Sequence, residues 1–277
     1  MKAVKLYFKT PLRAGGANFE SSSEIIHSDT LFSAIANALA ALNEDVEEFI
    51  ERVKAGETEI SSCFPFNGEE YYFPAPAFPV ERKLGQFLTR EDFEKTIGGE
   101  LPEDGEKVLD FLKKYDVPKV ALDRATSNSN VYYLSLVRFK ENSGLYFLVR
   151  GKYRQIKVAL RYLEDEGIGG KRTWGLGKFK FEEDELNLRV TGDEYLTLSL
   201  THPFRRDSIL YWKPVIRSGW IDSYLRKPKI AMASEGSVFS TEDPGNLIEL
   251  GEYTSMRPDH EVYVNGKSFL IPVKVIE

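Results

Sequence analysis

The chain has 277 residues, enough for one large or two ordinary domains. Its formal net charge of −6 argues against nucleic-acid binding by the whole surface, so any such site has to be a local basic groove. The single cysteine, Cys63, excludes an intrachain disulfide and favours a reducing, cytoplasmic location. No apolar run approaches the roughly 20 residues of a membrane span, and we expect no membrane partner.

The first part of the chain predicts a strand followed by helices. Val4–Lys9 alternates in polarity, which places Val4, Leu6 and Phe8 on one face of a strand. Helical spacing of apolar residues predicts a helix over 27–42, capped by Ser28 or Asp29, and a second, acidic helix follows over Val46–Lys54.

The segment 55–126 reads as an insertion into the first domain. It begins with a run dense in proline and aromatic residues, which predicts packed but irregular structure. Short polar helices are expected over Thr89–Ile97 and Glu103–Tyr115, and Val120–Asn130 is expected to be polar and flexible apart from its first residues.

Strands over Val131–Phe139 and Leu145–Arg150 are expected to form a hairpin. A helix over Tyr153–Glu166 and a strand over Lys178–Phe181 follow. The order strand, helix, strand, strand, helix, strand is that of a ferredoxin-like (RRM-type) domain, which we assign to residues 1–192.

Residues 193–277 predict a second, strand-rich domain. Strands are expected over Tyr195–Leu200 and Ile209–Arg217, and Val262–Val264 is expected to pair with Ser268–Val273 through a turn at Asn265-Gly266. We interpret this domain as a degenerate ferredoxin-like copy of the first. The predicted fold class is therefore α+β.

The stretch Gly167–Phe179 is the most informative in the chain, because five of its thirteen residues are glycine and three are basic. Glycine allows close approach to the backbone, and clustered N–H groups beside cations form an anion site. The spacing fits no P-loop, and the order helix, glycines, strand is the reverse of a dinucleotide-binding fingerprint. The alternative is a turn that only lets a helix pack closely on a sheet.

The sequence gives little support for catalysis or metal binding. It has no HExxH, CxxC or GxSxG pattern, and Cys63 is typical of a small buried hydrophobe. His27 lies just before a predicted helix, where it could act as a base or bind phosphate. A buried polar anchor, with Asp29 as a simple cap, is an equal alternative.

Basic residues cluster with aromatic ones after residue 150. Trp174, Tyr211, Trp212 and Trp220 lie among three groups of arginine and lysine. Cations interleaved with flat rings suit single-stranded nucleic acid, whose phosphates need charge and whose bases need stacking surfaces. Solvated faces with core aromatics are the alternative.

These motifs together resemble a known family. The glycine-rich loop after a helix and the HSDTLFSAI stretch are similar to motifs of the RAMP superfamily of CRISPR proteins. Further similar stretches are LDRAT, SGW, EGSVF and a terminal VYVNGKSFLIPV, at Leu122–Thr126, Ser218–Trp220, Glu235–Phe239 and Val262–Val273. The pattern resembles the fourth-named, Cas5-group subunit of type III-A Csm effector complexes.

The resemblance implies two ferredoxin-like domains and a non-catalytic role without a cofactor or a metal. It implies binding of the 5′ repeat-derived handle of the CRISPR guide RNA (crRNA), and contact with a large polymerase-like subunit and an RNA-binding backbone subunit. The residues expected to bind RNA are His27, Ser28, Arg124, Gly167, Gly169, Gly170, Lys171, Arg172, Trp174 and Lys178. Arg124 lies in a stretch similar to a thumb-like hairpin.

Two other functions stay open from the sequence. One is a metal-independent endoribonuclease that processes CRISPR precursor RNA, with His27 as general acid or base beside the glycine-rich loop. The other is a protein–protein adaptor in which the loop has lost its function.

Overall fold

The computed structural model of the protein describes residues 1–15, 20–80, 84–102, 109–122, 129–221, 225–252 and 260–276. These residues form a mixed α/β fold in which strands outnumber helices. The predicted RNA-binding residue Arg124 lies outside the described residues. Within them, no helix is both long enough and apolar enough to cross a membrane.

The elements follow in chain order. The helices of the described residues are α1 (Ser28–Ala41), α2 (Val46–Lys54), α3 (Arg90–Ile97) and α4 (Arg154–Glu166). The strands of the first part are β1 (Lys2–Phe8), β2 (Thr58–Ile60), β3 (Phe64–Asn67), β4 (Glu70–Pro74), β5 (Phe87–Thr89), β6 (Leu112–Leu122), β7 (Ser129–Phe139), β8 (Ser143–Gly151) and β9 (Phe179–Glu185). Those of the second part are β10 (Glu194–Thr197), β11 (Ile209–Tyr211), β12 (Pro214–Arg217), β13 (Trp220–Ile221), β14 (Leu225–Arg226), β15 (Ile230–Ala233), β16 (Val238–Phe239), β17 (Gly245–Glu249), β18 (Tyr263–Lys267) and β19 (Leu270–Val273).

A seven-stranded sheet lies at the centre of the fold. Its order is β5-β4-β3-β8-β1-β9, and β2 also pairs with β8. Strand β1 runs antiparallel to both neighbours, with Val4 opposite Phe147 of β8 and Glu183 of β9. The segment 55–126 thus supplies four strands of this sheet, β2 to β5.

Helices α1 and α4 cover one face of the central sheet. Val4 and Leu6 are buried in one hydrophobic cluster, and Phe8 packs against it, which confirms the predicted shared face. The helices contribute to this cluster the buried residues Leu31, Ile35, Leu39, Ile156, Leu160 and Leu163.

The second part of the chain packs against the other face of the central sheet. Tyr146 and Leu148 of β8 share a buried cluster with Leu196, Val238 and Ile271. These three residues come from β10, β16 and β19, which belong to a four-stranded sheet of the order β11-β16-β10-β19. The two parts of the chain therefore share a core.

All four helices coincide with predicted ones to within about two residues. The predicted helix over Glu103–Tyr115 is wrong where the chain is described, because residues 112–115 begin strand β6. This strand pairs with β7 from Leu112 opposite Phe139 to Leu122 opposite Ser129. The ladder of eleven residue pairs provides inter-strand hydrogen bonds at alternate residues along both strands and overrides a weak local helical pattern.

The predicted hairpin between β7 and β8 is also wrong. Strand β7 pairs with β6 in a separate two-stranded ribbon, whereas β8 pairs with β1 on one side and with β2 and β3 on the other. Because β8 is buried along most of its length, it needs partners at both of its edges. The strand adjacent to it in sequence is not one of them.

The predicted turn at Asn265-Gly266 does not form. Both residues lie inside β18, which pairs with β17, while β19 pairs with β10. Neither residue has the positive φ that the predicted turn type requires. Gly266 serves close packing instead, since a Cβ there would lie 2.6 Å from Cβ of His202.

Candidate nucleic-acid interface

The glycine-rich loop connects α4 to β9 and is held in one conformation by close backbone contacts. Gly167 is the C-cap of α4 and has a φ of 82°, a backbone conformation that favours glycine. A Cβ at Gly169 would lie 2.4 Å from the carbonyl oxygen of Arg13, and one at Gly177 would lie 2.0 Å from that of Ile168. Both glycines have positive φ, so no other residue type fits without moving the backbone.

Most glycine amides of the loop are used inside the protein. The N–H groups of Gly167, Gly170, Gly175 and Gly177 donate to the carbonyls of Leu163, Arg13, Arg172 and Pro11, at 2.8, 2.8, 2.8 and 2.9 Å. The expected row of amides facing a phosphate is therefore wrong for these four. In the part of the chain that the structure describes, the N–H groups of Gly169, Arg172 and Thr173 donate to no protein acceptor.

The cationic side chains of the loop surround an exposed indole ring. Trp174 is 47% exposed, and the Nζ atoms of Lys171 and Lys119 lie 4.7 and 5.2 Å from the centroid of its ring. Arg172 and Lys178 are exposed, and their side chains make no hydrogen bond or ion pair with the described residues. The loop thus offers cations and one flat apolar surface to solvent.

The ribbon of β6 and β7 borders this loop. Its strand β6 carries Lys119, and Val137 of β7 exchanges two backbone hydrogen bonds of 2.8 Å with Leu12. The next residue, Arg13, accepts the hydrogen bond from Gly170. Arg13 is 6% exposed, and burial lowers the pKa of its guanidinium. The buried residues 12–13 therefore connect the loop to the ribbon through backbone hydrogen bonds, and Lys119 of the ribbon lies beside the ring of Trp174.

One face of the ribbon is apolar and open to solvent. In the register of the two strands, Pro118 lies opposite Tyr133 and Val120 lies opposite Val131. All four side chains are exposed, and Leu122, 73% exposed, shares their face. Neither this face nor Lys119 can be assigned to the site from the sequence, because their position depends on a strand pairing that local patterns do not reveal.

His27 and Ser28 hold α1 against the second part of the chain. Nδ1 of His27 lies 2.8 Å from Oε1 of the buried Glu235, which also accepts a hydrogen bond from the hydroxyl of Ser62. Ser28 donates its amide to Ser62 and accepts a hydrogen bond of 3.0 Å from the amide of Leu200. We call the contacts of His27, Ser62 and Glu235 the His27 anchor.

The electrostatics of the His27 anchor favour the charged pair. Burial alone lowers the pKa of His27, but the carboxylate of Glu235 raises it above its ordinary value. Burial alone raises the pKa of Glu235, but His27 and the hydroxyl of Ser62 hold it well below its ordinary value. Both shifts therefore favour an imidazolium facing a carboxylate over a neutral pair.

Asp29 also connects α1 to the second part of the chain, and it is not the cap of this helix. Its carboxylate receives two hydrogen bonds from Arg217, at 2.8 and 3.0 Å, and Arg217 also reaches the hydroxyl of Thr30. The residue at the N-cap of α1 is His27, which makes no capping hydrogen bond with its side chain. The predicted cap is wrong because Ser28 and Asp29 both bind residues of the second part.

The structure therefore brings together Gly167, Gly169, Gly170, Lys171, Arg172, Trp174 and Lys178. Within the described residues, no hydrogen bond or ion pair joins His27 or Ser28 to this group. No group of three His, Cys, Asp or Glu side chains in those residues could hold a metal ion.

Comparisons with known proteins give consistent results along the whole chain. The RAMP superfamily model matches residues 5–180, and the CRISPR Csm4 C-terminal domain model matches residues 190–273. A curated Thermococcus onnurineus protein named CRISPR system Cms protein Csm4 is 35% identical over 302 residues, covering 99% of this chain and 97% of that protein.

Solved structures agree with the sequence comparisons. A chain in the crystal structure of a Csm1-Csm4 cassette in complex with cA4 has a TM-score of 0.68 and 26% identity, covering 100% of this chain and 98% of that one. A chain of a Csm3-Csm4 subcomplex from a type III-A interference complex has a TM-score of 0.67 at 20% identity, covering 99% of this chain and 100% of that one, and shares the fold. The chain thus belongs to the Csm4 family within the RAMP superfamily of CRISPR proteins.

Proposed function

We propose that the protein is a non-catalytic subunit of a type III-A CRISPR RNA-guided interference complex in the cytoplasm, and that it binds the 5′ handle of the crRNA at the glycine-rich loop. The observation that carries this proposal is the exposed ring of Trp174 with Lys171, Lys119, Arg172 and Lys178 around it. Single-stranded RNA needs this combination, since its splayed bases stack on rings and its phosphates need cations.

The mechanism relies on side chains more than on backbone amides. Because four glycine amides donate to protein carbonyls, Lys171, Arg172 and Lys178 supply most of the donors for phosphate. The amides of Gly169 and Arg172 add a smaller contribution. The glycines bring the cationic chain close to the ribbon, so that a strand of RNA contacts both.

The proposal includes two protein partners. Relatives of this chain occur in a Csm1-Csm4 cassette and in a Csm3-Csm4 subcomplex, which supports contact with a large subunit and with an RNA-binding backbone subunit. We also propose that both parts of the chain are ferredoxin-like. The antiparallel order β8-β1-β9 with α1 and α4 on one face supports this for the first part.

Binding of a labelled handle RNA over a salt series tests the RNA site. We expect Lys171→Ala with Arg172→Ala to weaken binding and to flatten the dependence of log K on log salt by about 0.7 per lost phosphate contact. The control pair, Lys54→Ala with Lys140→Ala, removes two exposed cations elsewhere and should leave the slope unchanged. Equal slopes for all three proteins would remove the loop from the site.

A further inference from the structure

The second part of the chain contains a groove that the proposed RNA site does not use. Its volume is about 690 Å³, a size typical of ligand sites, and we call it the C-terminal groove. Its walls are mostly apolar. Among the described residues that line it are Pro203, Ile209, Leu210, Ile230, Ala231 and Ile248, together with one indole ring, that of Trp212.

The ring of Trp212 is available for stacking. It is 45% exposed, and within the described part of the chain it makes no ring-stacking or cation–π contact. The other two tryptophans differ, since two lysine Nζ atoms lie beside the ring of Trp174 and Arg226 lies 5.6 Å from the centroid of Trp220. An exposed indole without a partner favours a flat ligand, whose face covers the apolar face of the ring.

The polar side chains of the C-terminal groove are hydrogen-bond donors. Arg206 and Lys229 are exposed and make no hydrogen bond or ion pair with the described residues, and Trp212 adds its indole N–H. Nδ1 of His202 lies 3.2 Å from the side-chain amide nitrogen of Asn246, which in a neutral imidazole leaves the hydrogen on Nε2. Burial, to which Arg206 adds, lowers the pKa of His202 and favours that neutral form. No carboxylate is among the described residues that line the groove.

Donors between apolar walls fit a nucleotide better than a peptide. A phosphodiester carries acceptors and no donor, and the face of a base is apolar enough to lie against aliphatic side chains and an indole. A peptide brings its backbone N–H donors, and the described side chains that line the groove offer them no free acceptor. Asp207, which follows Arg206 in the chain, is already bound by Arg205 at 3.0 Å.

We propose that the C-terminal groove binds one splayed nucleotide of single-stranded RNA, with its base stacked on Trp212 and a flanking phosphate held by Arg206 and Lys229. These three residues come from the last of the three basic groups in the sequence, to which the proposed function gives no role. None of the described lining residues belongs to the glycine-rich loop or to the ribbon. The inference therefore goes beyond the proposed function and holds whether or not the handle binds at the loop.

Binding of the full-length protein to a short oligouridine, which lacks the handle sequence, tests the stacking contact. The protein carries Lys171→Ala and Arg172→Ala, so that binding at the loop does not mask the groove. We expect Trp212→Ala to weaken oligouridine binding roughly 5- to 100-fold in fluorescence anisotropy, the range for one stacked base, and Trp212→Phe to weaken it less. The matched control, Trp220→Ala, removes an indole that is 57% exposed and already has Arg226 beside it, and should bind normally.

A second variant pair, Arg206→Ala with Lys229→Ala, tests the phosphate contact. It should flatten the dependence of log K on log salt by about 0.7 per lost contact, whereas Lys54→Ala with Lys140→Ala should leave the slope unchanged. In the wild-type protein, RNA that carries iodouridine should crosslink to Trp212 on irradiation, and Arg206→Ala with Lys229→Ala should lower the yield.

Unchanged oligouridine affinity in both groove variants would overturn the inference. Binding of UMP as tightly as oligouridine would assign the groove to a free nucleotide and overturn it equally. If Lys171→Ala with Arg172→Ala leaves handle RNA binding intact while Trp212→Ala still weakens oligouridine binding, the loop assignment fails and the groove stands. The opposite pattern removes the groove from RNA binding and leaves the loop.

Discussion

Removal of one side chain of the His27 anchor should lower the free energy of unfolding of the protein. Removal of one partner of a buried ion pair typically costs about 3–5 kcal/mol of unfolding free energy. The side chain of His27 is 17% exposed and that of Glu235 is 3% exposed, so we place His27→Ala near the lower end, at about 3 kcal/mol. Glu235→Gln keeps the shape of the side chain and should cost less.

The interaction itself is measured by a double-mutant cycle. We expect His27→Ala and Glu235→Gln to be non-additive by about 1–3 kcal/mol in urea or guanidinium unfolding followed by tryptophan fluorescence. The control cycle uses Lys54→Ala and Glu51→Gln, a pair that is 59% and 66% exposed, and should give a coupling below about 0.5 kcal/mol.

The coupling should depend on pH in a defined direction. The raised pKa of His27 means that its contribution is complete below its ordinary pKa of 6.5 and is lost as the pH rises through the folded-state pKa. The lowered pKa of Glu235 means that its contribution is complete above 4.5 and is lost as the pH falls through the folded-state pKa. The coupling should therefore be largest between pH 4.5 and 6.5. A coupling near zero at pH 6, or one that does not change up to pH 9, would refute this account of the His27 anchor.

Three further predictions concern the loop and the reaction. Trp174→Ala should weaken binding of single-stranded handle RNA by roughly 1–3 kcal/mol in fluorescence anisotropy, and Trp174→Phe by less, whereas equal losses would contradict base stacking. Gly169→Ala should lower the free energy of unfolding by about 1–3 kcal/mol more than Gly175→Ala. Both glycines have positive φ, but only at Gly169 does a carbonyl oxygen lie 2.4 Å from the added Cβ. Equal unfolding curves for the two variants would contradict this close contact. The pure protein should not cleave repeat RNA in the presence of a chelator, and a specific cut that His27→Ala abolishes would identify the endoribonuclease instead.

The helices could be predicted from the sequence because their signals are local. The apolar stripe of α1, the caps and charges of α2 and the glycine after α4 all lie within a few residues of the element they define. The glycine-rich loop could be predicted for the same reason. Its glycines, cations and tryptophan are adjacent in the chain and need no knowledge of the fold.

The contacts that local patterns missed are long-range. Glu235 lies 208 residues from His27, and Arg217 lies 188 residues from Asp29. Strand pairing is long-range in the same way, since β8 pairs with β1 and β3 and not with the strand just before it. A sequence pattern shows that a strand has a buried face, but it does not name the strand that pairs with it.

The acidic net charge of the protein explains why its cations have to be concentrated at the loop. With 43 acidic and 37 basic residues, the distant field of the protein repels RNA, and attraction acts only within about one Debye length of the cationic side chains, roughly 8 Å at physiological salt. Three of the acidic residues, Glu47, Glu48 and Glu51, lie in the nine-residue helix α2. A local site of a few cations gives fewer phosphate contacts than a basic surface, so the isolated chain should bind handle RNA weakly and with a shallow salt slope. Tight binding then requires that the neighbouring subunits supply further contacts along the same RNA, and addition of the backbone subunit should raise both the affinity and the salt slope of the wild-type protein.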